Sequence, residues 1–231
     1  MDLRNKIIKS MNVRKRTIKN ISICMTVKNR SVFYHDNKKH ELLPKCINNL
    51  LKIIDKNDEI IIADWNSNDF CFDKYKTNKS ITLIKIDGHY SKGVGLNICA
   101  KNAKNDVLLF IDCDLLIFGD VIDECRNLKI GHAMFPKMSR TNKDGNVTVK
   151  NLVRAKSVCG IHKSDFELTK WPEYHSWGYE DTDFFQDVKK IMNVSNEKSN
   201  TIHIWHPPSR KGSPRDGVRT KIKNAQYTLR S

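Results

Sequence analysis

The residues of this chain best suited to chemistry are Asp112 and Asp114, two carboxylates one residue apart at the end of the apolar run Leu108-Leu109-Phe110-Ile111. Carboxylate oxygens are preferred donors for hard cations such as Mg²⁺ or Mn²⁺, and a cation held this way keeps positions open for phosphate oxygens. The pair therefore suits a phosphate-bearing substrate. An Asp-x-Asp triplet on its own also fits a solvated turn, so its meaning rests on what the rest of the chain brings beside it.

Within the stretch from Val107 to Leu116, the apolar run reads as a strand buried on both faces with the two acids at its C-terminal end, which puts them at the rim of a sheet, where α/β folds hold their ligands. Two further strands end in polar clusters. Ile21-Ser22-Ile23-Cys24-Met25-Thr26-Val27 runs into Lys28-Asn29-Arg30, and Glu59-Ile60-Ile61-Ile62-Ala63 runs into Asp64-Trp65-Asn66-Ser67-Asn68-Asp69. Between them Glu41 to Ile54 has apolar residues at helical spacing. A third strand, Ile81 to Ile86, leads through His89-Tyr90-Ser91-Lys92-Gly93-Val94-Gly95-Leu96-Asn97 into a helix ending near Ala103. The Gly-x-Gly lacks the third glycine of a dinucleotide loop, because Ile98 stands there. A basic, glycine-containing loop before a helix can still approach a diphosphate, with Lys92 neutralising it. If these strands are parallel, Asp64, Lys92 and the Asp112/Asp114 pair share one sheet edge.

The second half has a different character. Ala133 to Ser139 and Asn146 to Val153 read as strands joined by a turn at Asp144-Gly145, followed by short strands at Val158–Ile161 and Asp165–Leu168. The aromatic loop from Trp171 to Tyr179 then runs into Glu180-Asp181-Thr182-Asp183-Phe184-Phe185. Acids suit the first turn of a helix for electrostatic reasons alone, but aromatic faces beside carboxylates also suit a sugar ring and a proton acceptor. A last strand, Thr201 to Pro208, carries His203 and His206, which point to opposite faces unless the strand ends between them.

Composition sets the bounds. At 231 residues, the chain is expected to hold one domain over residues 21–208, divided into a nucleotide-binding half (21–116) and an acceptor-binding, catalytic half (117–208). A basic leader (1–20) and a basic, flexible tail (209–231) flank it. The net charge of +15 calls for an anionic partner. No nucleic-acid module is recognisable, which disfavours nucleic acid and leaves a phosphorylated substrate or contact with an anionic membrane. Seven cysteines without Cys-x-x-Cys spacing argue for reduced thiols and a cytoplasmic setting, in solution or peripheral at a membrane surface.

The order of these motifs resembles GT-A glycosyltransferases, of the family-2 type and of the galactosyltransferase-like group with a Gly-Trp-Gly-Gly-Glu-Asp loop. The resemblance runs from Ile21 to Pro208. It implies an α/β GT-A fold, with a mixed central sheet flanked by helices and a small β-hairpin region. It implies transfer of a sugar, with inversion, from a nucleoside-diphosphate donor, UDP-linked, to a glycan, lipid-linked saccharide or protein hydroxyl, with Mn²⁺ or Mg²⁺ as cofactor. Carried over by residue, Asp181 is the general base and Glu180 an acceptor or donor-sugar contact. Arg30, Asp64, Lys92, Asn97, Asp112, Trp177 and Gly178 contact the nucleotide sugar. Asp114 and His206 ligate the metal, with His203 as the alternative imidazole and Asp112 as a further ligand. The chain departs from the pattern at Tyr179, in place of a second glycine, and at Trp171, which is expected to reshape the acceptor cleft. A sugar-nucleotide nucleotidyltransferase is a competing reading, although Thr26 to Arg30 lacks the glycines its phosphate loop would need. A non-catalytic nucleic-acid or membrane-surface binder is another.

Overall fold

A computed structural model describes residues 19–69, 72–174, 178–195, 199–207 and 227–230. In chain order these form β1 (Ile21–Val27), β2 (Val32–His35), β3 (Lys38–Glu41), α1 (Leu43–Leu50), β4 (Glu59–Asp64), β5 (Ile81–Gly88), α2 (Lys92–Asn102), β6 (Val107–Phe110), β7 (Leu115–Leu116), α3 (Gly119–Arg126), β8 (His132–Met134), β9 (Lys137–Thr141), β10 (Val147–Arg154), β11 (Cys159–His162), α4 (Lys163–Phe166), α5 (Glu180–Ile191), β12 (Asn193–Val194), β13 (Asn200–His203) and β14 (Tyr227–Arg230).

The main sheet has the order β12-β8-β11-β6-β1-β4-β5-β14. Its centre is parallel, with β1 between β4 and β6 and β5 outside β4, so the loops after all four strands open on one edge. The apolar run of β1 is buried throughout, as a parallel strand covered on both faces must be. Its alternation splits the core. Ile21, Ile23, Met25 and Val27 pack with Leu43, Ile47 and Leu50 of α1 and Val121 and Cys125 of α3. Cys24 joins Val94, Leu96 and Cys99 of α2 and Phe184 and Val188 of α5 on the other face.

The stretch from Val107 to Leu116 forms two strands in two sheets, the first ending before the acids as expected. Pairing with β1 stops at Phe110, after which Ile111 N–H donates to Cys24 O at 3.0 Å. Residues 112–114 turn, and Leu115–Leu116 joins the second sheet, ordered β10-β9-β13-β7. The acids therefore sit at the crossover between sheets. Three expectations change. Ala133–Ser139 is likewise split between the sheets as β8 and β9. Residues 165–168 form no strand: α4 begins at Lys163, and the carboxylate of Asp165 accepts Gly131 N–H at 2.7 Å. The tail includes an ordered piece, β14, which pairs antiparallel with the β5 edge; the expected leader and the rest of the tail, apart from Lys19 and Asn20, lie outside the described residues. The β2–β3 hairpin was not anticipated; its turn residues Asp36 and Asn37 both take positive φ, the conformation a two-residue hairpin turn requires. All six described cysteines are buried and free.

Candidate active site

The crossover places Asp114 beside β13. His203 pairs with Leu115 in register, and Ile204 N–H donates to Asp114 O at 2.8 Å. Because β13 ends at His203, His206 is free of strand alternation, and both imidazoles turn to the same carboxylate. His206 Nε2 lies 3.3 Å and His203 Nε2 3.6 Å from Asp114 Oδ2, with the two ring nitrogens 3.3 Å apart. Ligand atoms of the three residues lie within 4.8 Å of one another. The fold thus brings His203 and His206 together beside Asp114. Arg30, in the loop after β1, completes the cluster with Nε 3.3 Å from Asp114 Oδ2. Burial pushes the Asp114 carboxyl up, but the His206 hydrogen bond and the charges of His203 and Arg30 outweigh it and hold the group well below its usual range. Burial lowers His203 from the ordinary imidazole value.

A second cluster forms where α2 meets α5. Lys92 Nζ lies 2.6 Å from Asp112 Oδ1 and 2.7 Å from Asp181 Oδ1, and its side chain is 8% exposed. Burial alone would depress the ammonium, but Asp112, Asp181 and Glu180 together raise it well above its ordinary value, so Lys92 is a fixed cation. Its contacts here are these carboxylates, where the sequence suggested a diphosphate. Glu180 is buried, its Oε2 accepting Gly178 N–H at 2.8 Å. Gly178 and Tyr179 take successive positive φ values, 114° and 69°, a tight turn that delivers the acids of α5 to the site. Trp177, expected at the nucleotide sugar, lies outside the described residues.

Asp64 ends β4, fully buried. Its Oδ1 accepts Ser67 N–H at 3.0 Å, and its Oδ2 lies 3.2 Å from Lys85 Nζ without hydrogen-bonding geometry. Lys85 was not read from the sequence, although it stands opposite Asp64 in the β4–β5 register. Asn97 is engaged elsewhere: its Nδ2 donates to Trp171 O (3.0 Å) and Glu173 Oε1 (2.9 Å), and its Oδ1 accepts Trp171 N–H (3.0 Å). Trp171 is core, 1% exposed and stacked on Phe184 with centroids 3.9 Å apart. It underlies Lys92 and does not line an open cleft. The glycines of the Gly-x-Gly make room for protein: a Cβ at Gly93 would meet Pro172 O, and one at Gly95 would meet Thr26 Oγ1.

One edge thus gathers a carboxylate with two imidazoles, a lysine shared by two acids, and a buried acid after β4, on a parallel sheet extended by antiparallel strands. The architecture is that of GT-A glycosyltransferases. The chain belongs to glycosyl transferase family 2, whose family model matches residues 22–152. Among solved structures, TarS from S. aureus in complex with UDP-GlcNAc is similar with a TM-score of 0.60 and 16% identity, covering 87% of this chain and 62% of that one. The mannosyltransferase PcManGT from Pyrobaculum calidifontis, in complex with GDP-Man and Mn²⁺, has a TM-score of 0.59 and 11% identity, covering 81% and 57%. Among curated proteins, chondroitin sulfate synthase 3 is 27% identical over 152 residues in Mus musculus and over 156 residues in Homo sapiens. Those matches take in 54% and 55% of this chain but span only 17% of each relative. Among the described residues, no helix is long and apolar enough to cross a membrane.

Proposed function

We propose that the chain is a metal-dependent, inverting glycosyltransferase that moves a sugar from a UDP-linked donor to a hydroxyl acceptor. The observation that carries this reading is the convergence of Asp114, His203 and His206 on one point, beside the Lys92–Asp181 pair. The donor set fits a divalent cation, because Asp114 Oδ1 is buried with no hydrogen-bond partner among the described residues and two imidazoles stand next to its carboxylate. Imidazole nitrogens favour Mn²⁺ over Mg²⁺, which prefers an all-oxygen shell. Bound there, the ion supplies Lewis-acid neutralisation of the charge that collects on the departing diphosphate.

The chain's own residues supply the rest. The Oδ2 of Asp64 that lacks a hydrogen bond accepts an N–H of the base, and Asp112 accepts from the ribose. Asp181, oriented by Lys92, takes the proton of the acceptor hydroxyl as it attacks the anomeric carbon from the face opposite the phosphate, which inverts the centre. Gly178 shapes the sugar pocket, and Glu180 holds the acceptor. Likeness to TarS bound to UDP-GlcNAc supports the uridine donor, and likeness to chondroitin sulfate synthase 3 supports a glycan acceptor.

The test is a panel of sugar nucleotides incubated with the protein and Mn²⁺, assayed for donor hydrolysis, which needs no knowledge of the acceptor. Release of a free nucleoside diphosphate from a UDP-sugar is the expected result. Release of pyrophosphate instead, or no turnover of any donor with salt-dependent binding to DNA or anionic vesicles, would overturn the proposal.

A further inference from the structure

Arg30 holds a position in the ligand cluster that transfer chemistry does not require. Its Nη2 lies 2.6 Å from His206 Nε2, and its Nε lies 3.3 Å from Asp114 Oδ2. The same Nη2 lies 3.2 Å from His206 Nδ1, so the guanidinium packs against both ring nitrogens. His206 Nδ1 also lies 2.8 Å from Pro207 O, and a proton on Nδ1 there leaves Nε2 for a metal. The arginine therefore occupies the side of the imidazole and the carboxylate that a divalent cation would take.

We propose that Arg30 is the resident counter-ion of this cluster, displaced when a divalent cation enters and received by the donor's diphosphate, so that cation and nucleotide bind cooperatively. The inference deepens the metal-dependent reading above and rests on it. Three features support it. Asp114 has a side chain 6% exposed, and a carboxylate so buried requires a cation beside it. A guanidinium and a divalent ion on one carboxylate repel each other strongly at such short range, so entry of the ion weakens the hold on the guanidinium. The backbone around Arg30 is pinned, with Asn29 N–H on Ser67 Oγ at 3.0 Å and Ser31 N–H on Asp69 Oδ2 at 2.6 Å. The guanidinium therefore leaves by rotating its side chain, which is 31% exposed, and stays within reach of the site. Its planar fork matches phosphate oxygens, so the donor compensates for the contacts given up.

The test is calorimetry of Mn²⁺ binding to the wild-type chain, Arg30→Ala and Arg30→Lys, each with and without saturating UDP. Without UDP, Arg30→Ala is expected to bind Mn²⁺ more tightly than wild type, on the order of tenfold, within the usual range of coupling between two ligands. The tightening of Mn²⁺ by UDP should shrink by a similar factor in Arg30→Ala, leaving the part due to direct contact between ion and diphosphate. Arg30→Lys keeps the charge without the fork and is expected to fall between the two. Should Arg30→Ala melt early, Arg30→Gln takes its place, with circular dichroism establishing the fold. If wild type binds Mn²⁺ in the presence of UDP while the variants match it without UDP, the Arg30 proposal is overturned and the metal reading stands. If no form binds Mn²⁺ with or without UDP, both are overturned.

Discussion

Lys92 Nζ lies 2.7 Å from Asp181 Oδ1 and ties the first residue of α2 to the first turn of α5. The same ammonium also holds Asp112, so one buried cation links the acid expected at the donor to the acid expected at the acceptor. Lys92→Met removes that link. It should cost about 2 kcal/mol of stability, less than the 3–5 of a wholly buried pair because both acids are partly exposed. Transfer should fall by roughly 10²-fold or more, as it does when a positioned base is lost. Asp181→Asn is expected to cut transfer to a small residual rate with metal-dependent UDP binding intact. If Lys92 acts through Asp181, the double variant transfers no more slowly than Asp181→Asn alone. Multiplying defects, or near-wild-type turnover in Asp181→Asn, would dismiss this division of roles.

Asp114 is the member of the candidate metal cluster whose loss has the clearest outcome. Asp114→Asn keeps the size of the side chain but removes the charge that His203, His206 and Arg30 surround. Mn²⁺-dependent UDP binding should weaken by at least the roughly 10–100-fold that loss of an outer-shell partner brings in metal sites. His206→Ala should weaken it similarly, since His206 also faces the shared oxygen. Calorimetry with Mn²⁺ and UDP checks this, and an unchanged affinity in Asp114→Asn would remove Asp114 from the ligand set.

The parallel centre of the sheet was legible because β1, β4 and β5 are apolar runs with polar ends, and parallel pairing brings those ends to one edge. The split after Phe110 was not, since an apolar run has no period to mark where a chain changes sheets. Whether the strand ended between His203 and His206 was left open by their spacing, and with it the joint approach of both imidazoles to Asp114. Asn97 looked like part of a phosphate loop, but its partners Trp171 and Glu173 lie more than seventy residues away, a distance no local pattern spans. The β2–β3 hairpin did leave a signal in Asp36-Asn37, two residues that tolerate positive φ.

Glu180 offers a test by pH. Burial raises its carboxyl above the ordinary value, Lys92 opposes this, and Asp181 adds to it. The folded state therefore binds the proton more tightly than the unfolded chain. The stability this gives is complete below the unfolded glutamate value and is lost as pH rises through the folded one. Glu180→Gln imitates the protonated form and can still accept Gly178 N–H. Its melting temperature should match wild type in acid and exceed it progressively from mildly acidic to neutral pH. A constant difference across that range would show that burial of the carboxylate carries no such penalty.

Gly93 sits where α2 touches the loop before α5, and a Cβ there would run into Pro172 O. Neither partner yields easily, since one is helix backbone and the other belongs to a loop that Asn97 holds at Trp171 and Glu173. Trp171 in turn stacks on Phe184 of α5. Gly93→Ala must therefore push α2 away from α5 and stretch the contact from Lys92 to Asp181. Overpacking of this kind costs about 1–3 kcal/mol, whereas Trp171→Ala, which empties the joint, should cost about 3–5 kcal/mol. Both should lower the rate of transfer more than they weaken Mn²⁺-dependent UDP binding, because Asp114, His203 and His206 are gathered where β7 pairs with β13 and do not depend on this joint. Urea midpoints together with calorimetry separate the two effects. Equal losses of binding and turnover in Gly93→Ala would mean that the donor site leans on the α2–α5 joint as heavily as the base does.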